Sequence, residues 1–458
     1  MTIAIVLAAG KGTRMKSALP KVAHKVAGLS MIEHVQRTIA TVPDLTALYV
    51  VGYGHEVVRD LLPEGAQIAL QPEQRGTGHA VSVAMAGLDE DCTEVMVLYG
   101  DMPLVTAQTL IQLRALHREH GATVTVQSTY VEQPRGYGRI VRDADGMPLA
   151  IVEDKWLSDA QTAINEVNTG LYVIGARWLR DTLASLPSHG DDEVYLTDVV
   201  EVAAAQGGLQ VVPARSAQEF VGINDRIGLA HAEGIMRRRV NEAIMASGVT
   251  LIDPASAYIA ADATIGMDTV IEPNVIVEPG VTIGERCHIG AQSRIIASKV
   301  GNDCTIISSQ IEFSELGDHV HIGPYSHLRA GSTFADGVHM GNFAETKNTF
   351  LGEGTKMGHF SYLGDTTTGR HVNVGAGTIT ANYDGAKKYK TSNGDNVFLG
   401  VGTMLRAPVT IGDGAYTGAG SVVLHDVPEN VTVAGTPARE LQSRRASGDA
   451  PPRHEVEE

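Results

Sequence analysis

The sequence predicts two folds in succession, an α/β domain on a mostly parallel sheet and then a triangular parallel β-helix. Three observations carry this: short apolar runs separated by helix-length stretches over residues 1–223, one helix-forming segment over 224–247, and a six-residue hydrophobic period over 248–440. A chain of 458 residues also exceeds what one hydrophobic core usually organises, so two domains of roughly 200 residues each are expected.

In the first section the runs Ile3 to Leu7, Ala47 to Val51, Val95 to Tyr99 and Val124 to Val126 are separated by amphipathic stretches and by Gly, Pro or acidic residues. Short apolar runs of this kind suit strands covered by helices on both faces, a Rossmann-like arrangement. From Asp225 to Ser247 the composition is helical, and Arg237, Arg238 and Arg239 read as a solvated face of one connecting helix.

In the third section Ile259, Ile265, Ile271, Val277, Ile283, Ile289 and Ile295 are each six residues apart. The same spacing returns at Leu316, Ile322, Leu328, Phe334 and Met340, at Leu351, Met357 and Leu363, and at Leu399, Leu405 and Ile411. Many of these positions precede a glycine, as in Ile283-Gly284 and Met340-Gly341. A six-residue period fits neither an amphipathic helix nor an alternating strand. It suits a coil of about 18 residues, three sides each of one short strand and a turn, with the aliphatic residue inside. Between Thr380 and Asn396 the period fails, and ANYDGAKKYKTSNGD reads as an inserted polar loop. From 441 the tail SRRASGDAPPRHEVEE has too little apolar content to fold and is expected to be disordered.

Bulk properties exclude several function classes. No apolar run approaches the ~20 residues needed to span a bilayer. The opening run Ile3 to Ala9 lacks a basic leader and reads as a strand, so a cytoplasmic location is expected. Cys92, Cys287 and Cys304 are odd in number and lack Cys-x-x-Cys spacing, which argues against a disulfide framework or a structural zinc site. A net charge of −17 argues against nucleic-acid or membrane partners, so an anionic small substrate needs a local basic pocket.

One such pocket is signalled directly after the first apolar run. In Leu7-Ala8-Ala9-Gly10-Lys11-Gly12-Thr13-Arg14-Met15 and the following Leu19-Pro20-Lys21, glycines let backbone N–H groups approach phosphate oxygens, and Lys11, Arg14 and Lys21 add positive charge. The segment matches neither a Walker A loop nor a dinucleotide fingerprint. Asp101, at the carboxyl end of a predicted parallel strand, stands where ligands bind in open α/β sheets.

LAAGKGTRM with LPK, and Tyr99-Gly100-Asp101-Met102-Pro103-Leu104, resemble the signatures of sugar-1-phosphate nucleotidyltransferases. Gln71, Gly76-Thr77-Gly78-His79-Ala80, Gly136-Tyr137-Gly138-Arg139-Ile140, Glu153, Asn168-Thr169-Gly170 and Asn224 extend the likeness. Together with the hexapeptide half, nearly the whole chain resembles the bifunctional N-acetylglucosamine-1-phosphate uridyltransferase/glucosamine-1-phosphate acetyltransferase family. That resemblance implies a left-handed β-helix, Mg²⁺ bound by Asp101 and Asn224, uracil read by Gln71, Gly76 and Thr77, and sugar held by Gly138, Glu153 and Asn168. It further implies that Leu7, Ala8, Ala9, Gly10, Lys21, Tyr99 and Gly100 line the nucleotide-sugar site. Arg14 and Lys21 would assist attack of the sugar phosphate on the α-phosphate of UTP, a reaction that needs charge neutralisation rather than a protein nucleophile.

The solenoid carries a second constellation. His321 and His339, and likewise Arg329 and Lys347, are 18 residues apart, so each pair could stand on adjacent coils, although an 11-residue gap from Met340 to Leu351 implies a register slip nearby. No third metal ligand is evident beside the histidines. The resemblance implies that Arg329, Lys347, Tyr362, Asn373 and Lys388 hold glucosamine 1-phosphate and that His359 is the general base. It assigns Ala376, Asn382, Tyr383, Val401 and Ala419 to acetyl-CoA. The chain departs from the family at Val401, where a serine is usual, so a hydroxyl near the acyl group is missing. The implied assembly is a homotrimer with small-molecule substrates. The alternative is a single-activity nucleotidyltransferase whose β-helix serves only oligomerisation, with a non-enzymatic nucleotide-sugar sensor more distant.

Overall fold

The computed structural model describes residues 1–441, so the tail expected to be disordered lies, beyond Leu441, outside the described residues. Two compact units divide between Arg237 and Arg238, within the helix Arg226–Ala246. No helix among the described residues is long and apolar enough to cross a membrane.

The first unit is built on a sheet of strand order Leu209–Pro213, Val124–Tyr130, Glu166–Gly175, Glu94–Tyr99, Thr2–Ala8, Leu45–Val51 and Gln67–Leu70. Thr2–Ala8 is buried throughout and runs parallel to both neighbours, as its unbroken apolar character requires. On one face Ile5, Leu48 and Val97 pack with Ala80, Val81 and Ala84 of the helix Gly76–Met85. On the other, Ala4, Val6 and Tyr49 pack with Ile32, Val35 and Ile39 of the helix Met31–Ala40. That helix starts where it does because Ser30 and Glu33 form a reciprocal capping box.

The exception to parallel order is Glu166–Gly175, antiparallel to both its neighbours. Its register shifts between Asn168 and Tyr172. Such irregularities re-aim side chains, and here the carboxamide of Asn168 donates to the Tyr172 hydroxyl at 2.7 Å while its carbonyl accepts from Gly170 N at 2.9 Å. A hairpin of Arg139–Arg142 and Pro148–Val152 attaches to this strand.

The second unit opens with the end of the helix. Asn241 donates to the carbonyls of Pro254 and Ala257 at 2.7 and 3.1 Å, and Val240 and Ile244 pack on the apolar interior of the first coils. Two- to four-residue strands then form three parallel stacks of 12, 10 and 9 strands, the three walls of a β-helix. In the first wall one short antiparallel strand, Arg439–Glu440, ends the stack. Every interior position picked out by the period belongs to one continuous apolar core, with Ile265, near the open end, only partly buried. Glycine after the interior residue is required sterically: a Cβ on Gly341 would stand 2.0 Å from the Gly358 carbonyl oxygen of the next coil.

One corner is pinned by a ladder in which a side-chain oxygen of each coil accepts a backbone N–H of the coil before. Asn302 serves Glu285, Asp318 serves Asn302, Asp336 serves Asp318, and the pattern resumes with Asp395 serving Arg370 and Asp413 serving Asp395, at 2.7–2.9 Å. The three cysteines are buried free thiols.

Phe334, 1% exposed, is the largest side chain of this interior. Phe334→Ala is expected to cost about 3–5 kcal/mol, because neighbouring coils cannot collapse into the space. Calorimetric unfolding of the full chain checks this.

Candidate active sites

The carboxyl ends of the central strands open into a cavity of about 580 Å³. Of the residues expected at the nucleotide-sugar site, Leu7, Ala8, Ala9, Gly10, Arg14, Lys21, Gln71, Gly76, Thr77, Tyr99, Asp101, Gly138, Glu153, Asn168 and Asn224 line it. Gly100 lies just behind the wall, its N–H donating to Leu7 O at 2.9 Å. Gly12 shows why the loop needs glycine: φ is +59°, and a Cβ there would meet Lys21 Cβ at 2.6 Å. A side chain there would displace Lys21.

Lys21 is the electrostatic centre. Its ammonium pairs with Asp101 and donates to Asn224 Oδ1 at 2.8 Å, so a carboxylate and a carbonyl oxygen from distant strand and loop converge on one cation. Gln71, 2% exposed, donates to Gly76 O at 3.2 Å and sits 3.1 Å from His79 Nδ1, which fixes its amide at one end of the cavity.

At the opposite end Glu153 projects from the hairpin. Burial pushes its carboxyl above the usual carboxylate range and nearby Asp198 adds to this, while a hydrogen bond from Thr197 opposes it. Burial likewise raises the Tyr99 and Tyr172 phenols behind it, so both stay neutral hydroxyls. The residues that sequence reading missed are Val22 and Gln74 and two further segments: Glu193 and Tyr195, and Phe220 to Ile223. Glu193 ends an acidic run, Asp191-Asp192-Glu193, whose charge is the opposite of what a phosphate pocket asks for, and Phe220 to Ile223 carries no charge, so neither segment marked itself.

On the solenoid, Arg329 and Lys347 are register neighbours in the second wall, Arg329 N donating to Thr346 O. The expected slip occurs within the gap from Met340 to Leu351, after Lys347. Pairing steps by 18 residues at His327↔Glu345 and by 17 at Thr333↔Phe350, so the Arg329/Lys347 alignment survives. Glu345, which sequence reading passed over, accepts from Arg329 Nη1 at 2.9 Å and sits beside Tyr362 in register. The inserted loop is a hairpin: Tyr383 bridges Lys388, and Tyr389 N donates to Asn382 O at 2.8 Å. Asn382 Nδ2 is anchored on Asp365 Oδ2 at 2.5 Å. The fold-back sets Lys388 against Lys347, and its positive charge, with that of Arg329, holds the Lys347 ammonium below the usual lysine range. Three cations are gathered this way, one of them, Arg329, also paired with Glu345.

His359 lies at the corner between the first and second walls, between Lys356–Met357 and Ser361–Gly364. Ala376, Val401 and Ala419 occupy the same corner on the next coils, tied by hydrogen bonds from Gly377 N to Phe360 O, Gly402 N to Ala376 O and Gly420 N to Val401 O. His359 and most of the residues expected at acetyl-CoA thus form one column, with Val401 exposed at the position where the family usually has serine. Asn373 stands apart. It belongs to the first wall, in register with Lys356 and Phe398, whereas Tyr362 is on the second. His321 and His339 stack with ring centroids 4.9 Å apart, and burial lowers both pKa values. Among the described residues no group of three His, Cys, Asp or Glu side chains is placed to hold a metal ion.

Residues 4–207 match the MobA-like NTP transferase domain family, and residues 262–297 and 394–425 match the bacterial transferase hexapeptide family. Cavity, solenoid and these matches together define a transferase with two catalytic units. "Bifunctional protein GlmU" of Streptococcus suis is 44% identical over 439 residues, 94% of each chain. Its namesake in Lactococcus lactis subsp. cremoris is 45% identical over 436 residues, 94% of this chain and 95% of the relative, and that of Syntrophomonas wolfei 44% over 428, 93% and 95%. The chain belongs to the GlmU family of bifunctional proteins. It is a uridyltransferase and glucosamine-1-phosphate acetyltransferase that synthesises UDP-N-acetylglucosamine from nucleotide and acetyl-CoA substrates.

Proposed function

We propose that the cavity of the first unit carries uridyl transfer and the solenoid carries acetyl transfer. In the first reaction Gln71, Gly76 and Thr77 bind the uracil, and Gly138, Glu153 and Asn168 bind the sugar. Leu7 to Gly10, Tyr99 and Gly100 shape the floor between them. Arg14 and Lys21 neutralise the phosphates while the sugar phosphate oxygen attacks the α-phosphorus of UTP and pyrophosphate leaves. Asp101 and Asn224 would hold Mg²⁺. The fit rests on their oxygens converging on one cation, Lys21, since oxygen donors suit a hard ion. When bound, that ion supplies further charge neutralisation on the phosphates.

In the second reaction Arg329, Lys347 and Lys388 hold the phosphate of glucosamine 1-phosphate, with Tyr362 and Asn373 on the sugar. His359 removes a proton from the amine as nitrogen bonds to the acetyl carbonyl carbon, and the C–S bond then breaks to release coenzyme A. Ala376, Val401, Ala419, Asn382 and Tyr383 flank the thioester and its arm.

The observation that best supports two sites is the separate placement of cations, Arg14 and Lys21 on the cavity of the first unit and Arg329, Lys347 and Lys388 on the solenoid, in a chain of net charge −17. Purified protein supplied with glucosamine 1-phosphate, acetyl-CoA, UTP and Mg²⁺ should yield UDP-N-acetylglucosamine, and omission of acetyl-CoA should prevent it.

The working assembly is a homotrimer in the cytoplasm. Asn373 and Tyr362 face outward from different walls of a triangular solenoid, which supports an acceptor site completed by a neighbouring copy. Light scattering should return three chains per particle. A monomer that acetylates at full rate would overturn this.

A further inference from the structure

The segment Glu193–Thr197 spans the mouth of the uridyl-transfer cavity as a cross-brace. Its backbone is fixed on the nucleotide side: Val194 N donates to Arg75 O at 3.0 Å, Gly78 N donates to Val194 O at 2.8 Å, and Leu196 N donates to Thr77 Oγ1 at 3.0 Å. Its alternate side chains reach the sugar-side hairpin. Glu193 contacts Tyr195 and accepts from Lys155 at 3.4 Å, Lys155 Nζ donates to the Tyr195 hydroxyl at 2.6 Å, and Thr197 Oγ1 donates to Glu153 Oε1 at 3.1 Å. With its backbone held on one side and its side chains reaching the other, one short segment contacts both sides of the cavity.

Thr197 is distinctive within this brace. It immediately precedes the helix Asp198–Ala205 with its backbone already helical (φ −58°, ψ −23°), so its hydroxyl makes no cap hydrogen bond to the first turn. The residue is 5% exposed, and its hydroxyl donates to Glu153 Oε1. A buried hydroxyl that donates to a carboxylate lining the cavity is placed for positioning.

We propose that Thr197 is a positioning residue for the sugar: its hydroxyl, carried on a segment fixed to the uracil-side helix, holds the Glu153 carboxylate where the sugar hydroxyls meet it. The proposal rests on the reading of Glu153 as a sugar ligand. It adds a residue that touches neither phosphate nor uracil and acts through another side chain.

The test is steady-state uridyl transfer by the full-length protein with N-acetylglucosamine 1-phosphate and UTP varied separately. Thr197→Val keeps the shape and removes the donor, and the lost bond to a charged group should raise KM for the sugar phosphate about 10-fold or more. KM for UTP should be unchanged, which shows that the cavity is folded. Thr197→Ser, which restores the hydroxyl, should recover the wild-type value. In Glu153→Gln the sugar KM should rise, and adding Thr197→Val to it should cause little further loss, because both changes remove one interaction. If Glu153→Gln leaves the sugar KM untouched, the underlying reading of Glu153 fails. Should Glu153→Gln raise it while Thr197→Val does not, or should Thr197→Val raise both KM values together, the positioning role of Thr197 is overturned.

Discussion

Asp101→Ala should lower uridyl transfer by at least about 10²–10³-fold, the usual consequence of removing one preorganised electrostatic group from a charged transition state. Acetyl transfer by the same protein should be unaffected. Asp101 pairs with Lys21, which also donates to Asn224, so the substitution removes an anion from a three-member cluster and leaves Lys21 with a single partner. The loss should therefore persist at high Mg²⁺, because the defect includes a misplaced lysine as well as a missing oxygen donor. Full recovery of turnover on raising Mg²⁺ would mean that Asp101 contributes only metal affinity.

His359→Ala should give the mirror image. A positioned general base contributes about 10²–10⁴ in rate, so acetyl transfer should fall by that order while uridyl transfer from supplied N-acetylglucosamine 1-phosphate continues. KM for glucosamine 1-phosphate should move little, since the cations proposed to hold its phosphate lie along the second wall and in the inserted hairpin. A His359→Ala protein that loses both reactions would refute the assignment of one reaction to each unit.

These expectations draw unequally on sequence and on structure. The solenoid was legible because every coil repeats the same requirement, an aliphatic residue inside and a small one at the turn, so Ile271, Ile289 and Leu328 report the same environment many times. Lys21 and Asp101 were legible because their neighbours, glycines and apolar strand residues, restrict what they can do. The antiparallel strand Glu166–Gly175 was not, since reversal of one strand in a doubly covered sheet leaves its apolar pattern unaltered. Glu345 and Thr197 were invisible for another reason. Each acts by a partner brought close by the fold, and an isolated glutamate or threonine carries no trace of that partner.

The corner ladder of Asp318, Asp336, Asp395 and Asp413 joins each coil only to the next. Height along the solenoid is therefore counted in whole steps of about 4.8 Å, as on a ruler with discrete marks. Arg329 and Lys347 are one mark apart, and the residue dropped near Asn348 shortens a corner without moving either mark. The hairpin between Ala381 and Thr391 enters in the same manner, outside the count. Length can thus vary at corners while the spacing of reactive groups along a wall is preserved, and only loss or gain of an entire coil would change the distance between them.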